Sequence, residues 1–302
     1  MKRDEHQTPR TGRFSPLRYP GGKGKMARFV AELIKTNGLS DGTYVEPYAG
    51  GAAIAWELLL TGVVRRVEIN DISRPIFAFW HAVLFETQAL CDRIQRTNVT
   101  VSEWDHAKSV FAESSTAPLL ELGFATFFLN RTNRSGILNG GIIGGRDQTG
   151  PWKIDARYNK DRLIGQIEKI GSVARRVSLF NTDTSEFLVD RRPRWNKKTL
   201  LYLDPPYFVK GGQLYHNSYR HSDHAMIADI IHGTLGETNW IVSYDDVDPI
   251  RALYGHNSTL RYSIGYSARS ASSGAECMFF SPDLEIPAVQ GSMVETERFI
   301  AA

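Results

Sequence analysis

Short apolar runs closed by turn signals, each followed by a stretch of helix formers, recur toward both ends of this chain. Thr43-Tyr44-Val45-Glu46 reads as a strand, residues 47–51 as a tight loop, and Ala52 to Leu60 as a helix. Arg66 to Ile69 repeats the strand, ending at Asn70-Asp71 before a helix from about Ser73 to Phe85. Later strands fall at Val177–Phe180, Thr199–Leu203 and Trp240–Ser243, with a helix near Asp223–Leu235. The segments Arg261–Tyr266 and Glu276–Phe280, separated by Ser/Gly-rich residues, read as a closing antiparallel hairpin. Alternation of this kind predicts an α/β fold with a Rossmann-like, doubly wound sheet.

Residues 88–175 break the rhythm. They begin as helix, with an apolar and aromatic run at Phe124–Asn130, then turn glycine-rich from Gly136 to Gly145, which predicts a β-ribbon or long loop. The expected organisation is therefore a catalytic domain made of 13–87 and 176–285, and an inserted, mostly helical recognition domain at 88–175. Residues 1–12 are expected to be a mobile N-terminus and 286–302 a C-terminal tail.

Composition narrows the class only slightly. The 302 residues are 42% hydrophobic and 23% charged, as in an ordinary globular protein, and no apolar run approaches a membrane span. With a polar start and only Cys91 and Cys277, in no metal-type spacing, a cytoplasmic protein without a structural metal is expected. A net charge of +3 is uninformative, but its distribution is not. Basic residues crowd the stretches 131–162 and 175–198, and such clusters create the field that attracts phosphate backbones. Solvated loop charge is the plainer explanation of the same pattern.

The most specific chemistry is Asp204-Pro205-Pro206-Tyr207, placed just after the buried run Leu200–Leu203. It should stand at the C-terminal edge of a parallel sheet, where open α/β folds bind ligands. A carboxylate, a stiff carbonyl and an aromatic ring suit the holding of a planar amino group while an electrophile attacks its nitrogen. The bend Glu46–Gly51 lets backbone approach a ligand closely, and Asp71, roughly 20 residues further on, lies where an acid can grip ribose hydroxyls. A structural turn and a helix-capping Asp explain that pair equally simply. Residues 19–25 lack the spacer and the hydroxyl of a phosphate loop. His216, His221 and His224 with Asp223 offer no clear third ligand to the His221–His224 pair, and Ser222 and Asp223 are better read as capping a helix start.

Together, Tyr19-Pro-Gly-Gly-Lys23, Val45-Glu-Pro-Tyr-Ala-Gly50, Asn70-Asp71, Phe128-Leu-Asn-Arg131 and Asp204-Pro-Pro-Tyr207 resemble the DNA adenine methylase (Dam-type) family of N6-adenine methyltransferases. The order of these segments, from about residue 15 to 282, is that of the family. The resemblance implies S-adenosylmethionine as methyl donor, contacted by Tyr19, Lys23, Asp71 and Asp204. Glu46 and Gly50 would line its methionine side, Tyr48 of the same bend would also contact it, and Asp183 would lie near its adenine. It implies double-stranded DNA as partner, with Asp204, Pro205, Pro206 and Tyr207 acting on a flipped adenine. Arg131, Asn133, Arg134, Asn139 and Lys153 would hold phosphates or read base edges. Ser270–Gly274 resembles the family's Ser/Gly-rich segment in the last hairpin. Two positions depart from the pattern. Ala52 replaces the second glycine of the cofactor loop, a change expected to be tolerated because alanine is small and forms helix well. Members that read GATC carry an aromatic and a later Arg where this chain has Arg134 and Asn139, so GATC is not implied. An RNA adenine or protein amide nitrogen as acceptor, or a catalytically silent DNA-binding relative, are the alternatives; the sequence names no restriction endonuclease counterpart.

Overall fold

The computed structural model describes residues 14–18, 23–209, 219–264, 276–290 and 293–301. The N-terminal segment 1–12, Tyr19 and the Ser270–Gly274 segment lie outside the described residues.

Eight strands form one sheet in the order β3-β2-β1-β4-β5-β7-β6-β8. They span β1 Thr43–Glu46, β2 Arg66–Asn70, β3 Val177–Phe180, β4 Thr199–Leu203, β5 Asn239–Asp245, β6 Thr259–Ile264, β7 Glu276–Phe280 and β8 Met293–Phe299. The first five are parallel, whereas β7 runs antiparallel between β5 and β6. This is a Rossmann-like methyltransferase fold. From β1 the chain winds outward to β2 and β3, then returns to lay β4 on the other side of β1. The crevice beyond β1 and β4 is thus the topological switch point, the expected ligand site of such a sheet.

Side chains of the central strands alternate between two apolar layers, as a period of two requires. Tyr44, Leu200, Tyr202 and Ile241 face one layer, while Val45, Leu201, Leu203 and Val242 face the other. The first layer is covered by α1 Ala27–Thr36, α2 Ala53–Leu60 and α3 Arg74–Phe85. The second is covered by α8 Thr184–Arg191, α9 His221–Thr234 and α10 Asp248–Tyr254.

The inserted region contributes α4 Thr87–Arg96, α5 Val101–Ala112, α6 Leu119–Thr132 and α7 Lys160–Gly171. It does not form a core of its own. Phe124, Phe127, Phe128, Leu163 and Ile167 join the same buried cluster as Phe79 and Trp80 of α3. Gly123 lets α6 lie directly on α3, for a Cβ there would meet the Ala78 carbonyl oxygen at 2.5 Å. From Leu122 onward every residue of α6 is buried. The glycine-rich stretch is no ribbon: a single bridge, Asn133 to Ile142, closes a run of turns.

One boundary needs correction. The segment read as a tail, 286–302, contains β8, which pairs antiparallel along the whole of β6 and is tied back by Arg298 donating to the Ile286 and Pro287 carbonyls. Its polar sequence hid it, because an edge strand packs only one side.

Candidate active site

Asp204 follows β4 directly, and the Glu46–Gly51 bend follows β1 directly. With Val45 opposite Leu201 in the ladder, the two loops leave the sheet side by side. Two networks make the arrangement rigid.

The first surrounds Asp204. Ser243 on β5 donates to Asp204 Oδ1 at 2.7 Å, and the Tyr202 hydroxyl lies 3.0 Å from the Ser243 oxygen. Lys23 Nζ stands 3.6 Å from the same Oδ1 and 2.7 Å from Glu276 Oε2, and it donates to the Tyr207 hydroxyl. Tyr262 on β6 donates to Glu276 Oε2 at 2.9 Å. Burial raises the pKa of Asp204, Lys23 and Ser243 pull it back, and the neighbouring Glu276 charge pushes it up again. The loop carrying Pro205, Pro206 and Tyr207 is pinned from β5, where both Asp245 oxygens accept from backbone N–H groups, Phe208 on Oδ1 and Val209 on Oδ2, each at 2.9 Å.

The second network holds the glycine bend. Asp71 accepts from Gly50 N–H at 2.8 Å through one oxygen and from Ser73 N–H at 2.9 Å through the other. The same carboxylate therefore braces the bend and starts α3, and burial lifts its pKa to about 6. The Asn70 side chain bridges the Pro47 and Thr182 carbonyls, joining the loops after β1 and β3. Glu46 is buried, accepts from the Tyr44 hydroxyl and the Ala55 N–H, and has its pKa raised to about 8, chiefly by desolvation. Asp183 caps α8 through Ser185 N–H at 2.8 Å. Tyr48 and Tyr219 share a hydroxyl contact of 2.8 Å across the mouth of the second layer.

Ala52 is the exception to its expectation. It lies not inside α2 but at its N-cap, in the left-handed region at φ 45°, ψ 35°. Only glycine adopts that conformation without cost, so the substitution strains the bend instead of extending the helix.

Of the residues expected to face nucleic acid, two are corrected. Arg131 is buried, donates to the Arg157 and Pro16 carbonyls, and has its pKa lowered to about 10, first by desolvation and then by neighbouring arginines. Asn133 is fully buried, accepting from the Trp104 indole N–H and donating to the Ile137 and Leu138 carbonyls. Both are internal struts of the inserted helical region. Arg134, Asn139 and Lys153 are exposed, with Lys153 donating to the Gln148 carbonyl. Trp152, also exposed, stands beside Arg157. The second basic stretch belongs elsewhere: Arg175, Lys197 and Lys198 precede strands β3 and β4, at the sheet end opposite Asp204.

Ser243, Asp245, Tyr262 and Glu276 were not anticipated from the sequence. Each stands in or beside an apolar strand and carries no local motif; only the strand order brings them to β4. Among the described residues no group of three or more metal-binding side chains is gathered, and no helix is long and apolar enough to cross a membrane.

Comparison with known proteins agrees with the geometry in one case and is uninformative in others. The profile of the D12 class N6 adenine-specific DNA methyltransferases matches residues 19–266. No curated protein matches the chain. Among solved structures, the rRNA methyltransferase aviRa from Streptomyces viridochromogenes superposes with a TM-score of 0.36 at 10% identity, covering 84% of each chain. Protein LPL1258 from Legionella pneumophila str. Philadelphia 1 gives 0.31 at 12% identity, over 89% of this chain and 83% of that one. Overlaps this loose say nothing about substrate. The profile spans most of the chain and both loops of the switch point: this protein is a methyltransferase and belongs to the D12 class of N6 adenine-specific DNA methyltransferases.

Proposed function

We propose that the crevice between the Glu46–Gly51 bend and Asp204 takes S-adenosylmethionine and an adenine flipped out of duplex DNA. The observation that carries this reading is the register of β1 and β4, which sets the bend beside Asp204 at the switch point. The donor set fits the cofactor. A carboxyl group ends β1 and others follow β2, β3 and β4, at Glu46, Asp71, Asp183 and Asp204, around a glycine bend. Such a set suits a cationic, hydroxyl-bearing ligand and opposes a polyphosphate. Asp71 and Asp183 are placed to accept from hydroxyl and amino groups, and Glu46, Tyr48 and Gly50 form the floor; Lys23 flanks the site from the other side. When bound, S-adenosylmethionine supplies an electrophilic methyl group on a sulfonium.

The chain's own residues then act on the adenine amine. Its nitrogen is a poor nucleophile because the lone pair is delocalised into the ring. Ser243 occupies Asp204 Oδ1, so Oδ2 serves as acceptor for one N–H, and the Pro205 carbonyl accepts the other. Two acceptors draw the nitrogen toward sp³ geometry and stabilise the positive charge that grows on it, each worth ~3–4 kcal/mol. Held by these two acceptors, the amine would take the methyl group that the sulfonium supplies, and its surplus proton would pass to Asp204 Oδ2 and from there to solvent. Tyr207 stacks on the base. Alignment for direct displacement supplies much of the rate. Base flipping costs a few kcal/mol, offset by contacts from the recognition wall, where Arg134, Asn139 and Lys153 are exposed.

Asp204→Ala tests this directly. The variant is expected to bind S-adenosylmethionine while transferring no measurable methyl to DNA; transfer near the wild-type rate would remove Asp204 from the mechanism.

A further inference from the structure

Glu276 belongs to no motif that marks the site, yet its carboxylate is closer to the Lys23 ammonium than Asp204 is. The distances are 2.7 Å to Glu276 Oε2 and 3.6 Å to Asp204 Oδ1. These side chains are 7% (Lys23), 25% (Asp204) and 12% (Glu276) exposed, so one cation is shared by two acids in a space that excludes most water. At such burial opposite charges attract strongly, and a lone lysine beside Asp204 would close onto it. Glu276 prevents this because it is fixed independently. It opens β7, opposite Asp245 of β5 and Tyr262 of β6, and the Tyr262 hydroxyl donates to the oxygen that binds Lys23.

We propose that Glu276 is a positioning residue for methyl transfer: it holds Lys23 off Asp204, so that the carboxylate stays available to the adenine amine. The proposal rests on the catalytic reading of Asp204. Without the Glu276 charge, Lys23 moves onto Asp204, the amine loses its acceptor, and Asp204 binds its proton less readily.

The pH consequence has a definite sign. The groups that act electrostatically on Asp204 are Lys23, Tyr44 and Glu46 of β1, Tyr202 of β4, Tyr207 of the following loop, Ser243 and Tyr244 of β5, Tyr262 of β6 and Glu276 of β7. The tyrosines are neutral across the working range, their pKa values raised by burial. Glu276 raises the pKa of Asp204 and Lys23 lowers it. Removing the first and tightening the second both displace Asp204 protonation to lower pH.

The test is the pH profile of kcat for the Glu276→Gln protein, on a genomic DNA that the wild type methylates. Expected are a fall in kcat of about ten-fold or more, a KM for S-adenosylmethionine changed by less than about three-fold, and an acid limb moved to lower pH. Tyr262→Phe, which keeps the charge but frees the carboxylate, should move both in the same direction by less. An acid limb that stays in place or moves up in Glu276→Gln, or activity lowered equally at every pH with a matching loss of thermal stability, would overturn the proposal. Asp204→Ala in the same assay separates the two claims. If it remains active, the reading of Asp204 fails; if it is dead while the Glu276→Gln limb is unmoved, only the role of Glu276 fails.

Discussion

Glu46 shows how burial turns a single carboxyl into a sensor of its surroundings. Desolvation lifts its pKa to about 8 from an ordinary value of 4.5. The folded protein therefore holds a proton that the unfolded chain releases above 4.5. Stability from this group is fully present below that value, declines at up to about 1.4 kcal/mol per pH unit, and is lost once pH passes about 8. Glu46→Gln, which cannot ionise, should melt higher than wild type at pH 9 and nearly the same at pH 5, as thermal scans at the two pH values would show. A melting difference independent of pH would mean that Glu46 is charged in the fold. Residue-level legibility followed the same physics. Asp204 and Glu46 stood out in the sequence because each acid directly precedes a proline at a strand end, whereas Asp71, between Asn70 and Ile72, had the plainer reading of a helix-capping acid, and it does start α3. Arg131 and Asn133 misled, since polar residues in a basic stretch look like surface. Here they end a helix buried from Leu122 onward and donate to backbone carbonyls.

At the scale of elements, two loops carry the site, and each depends on one residue. Ala52 holds a left-handed conformation at the N-cap of α2. Glycine there would relieve strain of roughly 1–2 kcal/mol while adding entropy cost to folding. Ala52→Gly should stabilise the protein by about 0.5–1 kcal/mol in denaturant unfolding, and a destabilised variant would show the bend to be unstrained. Asp245 performs the matching task for the loop after β4 by accepting two backbone N–H groups. Asp245→Ala leaves both donors without that partner, at about 1–3 kcal/mol each if they stay buried. On the proposed mechanism, in which the loop positions the acceptors of the amine, its expected signature is a fall in kcat larger than any rise in the KM for S-adenosylmethionine. Turn residues announced both loops in the sequence. The serine, acids and tyrosine that support Asp204 from β5, β6 and β7 were silent, for they sit in strands that any sheet could contain.

At the scale of the whole molecule, contacts run from the sheet's antiparallel edge to the candidate site. β8 covers β6, β6 bears Tyr262, and Tyr262 grips the carboxylate that binds Lys23. A chain truncated after residue 290 should lose several degrees of melting temperature and activity with it. Retained activity at full stability would show the edge strand to be dispensable. The parallel half of the fold was legible because apolar runs, turns and helix formers repeat there in order. β8 was not, because Val294 to Arg298 are mainly polar and an edge strand owes its place to a neighbour far away in sequence. The broken rhythm marked residues 88–175, but where they pack was not written in them: α6 joins the buried cluster of α3 through Phe124, Phe127 and Phe128.

The central claim is that Asp204 and the glycine bend together methylate N6 of adenine in duplex DNA. Base-resolved mapping of modified adenines tests it most directly, using DNA of known sequence incubated with the protein and isotope-labelled S-adenosylmethionine. The prediction is label on adenine N6 within one short recurring sequence, absent when Asp204→Ala replaces the wild type. Label found in RNA or protein but not in DNA, or on DNA irrespective of Asp204, would contradict it.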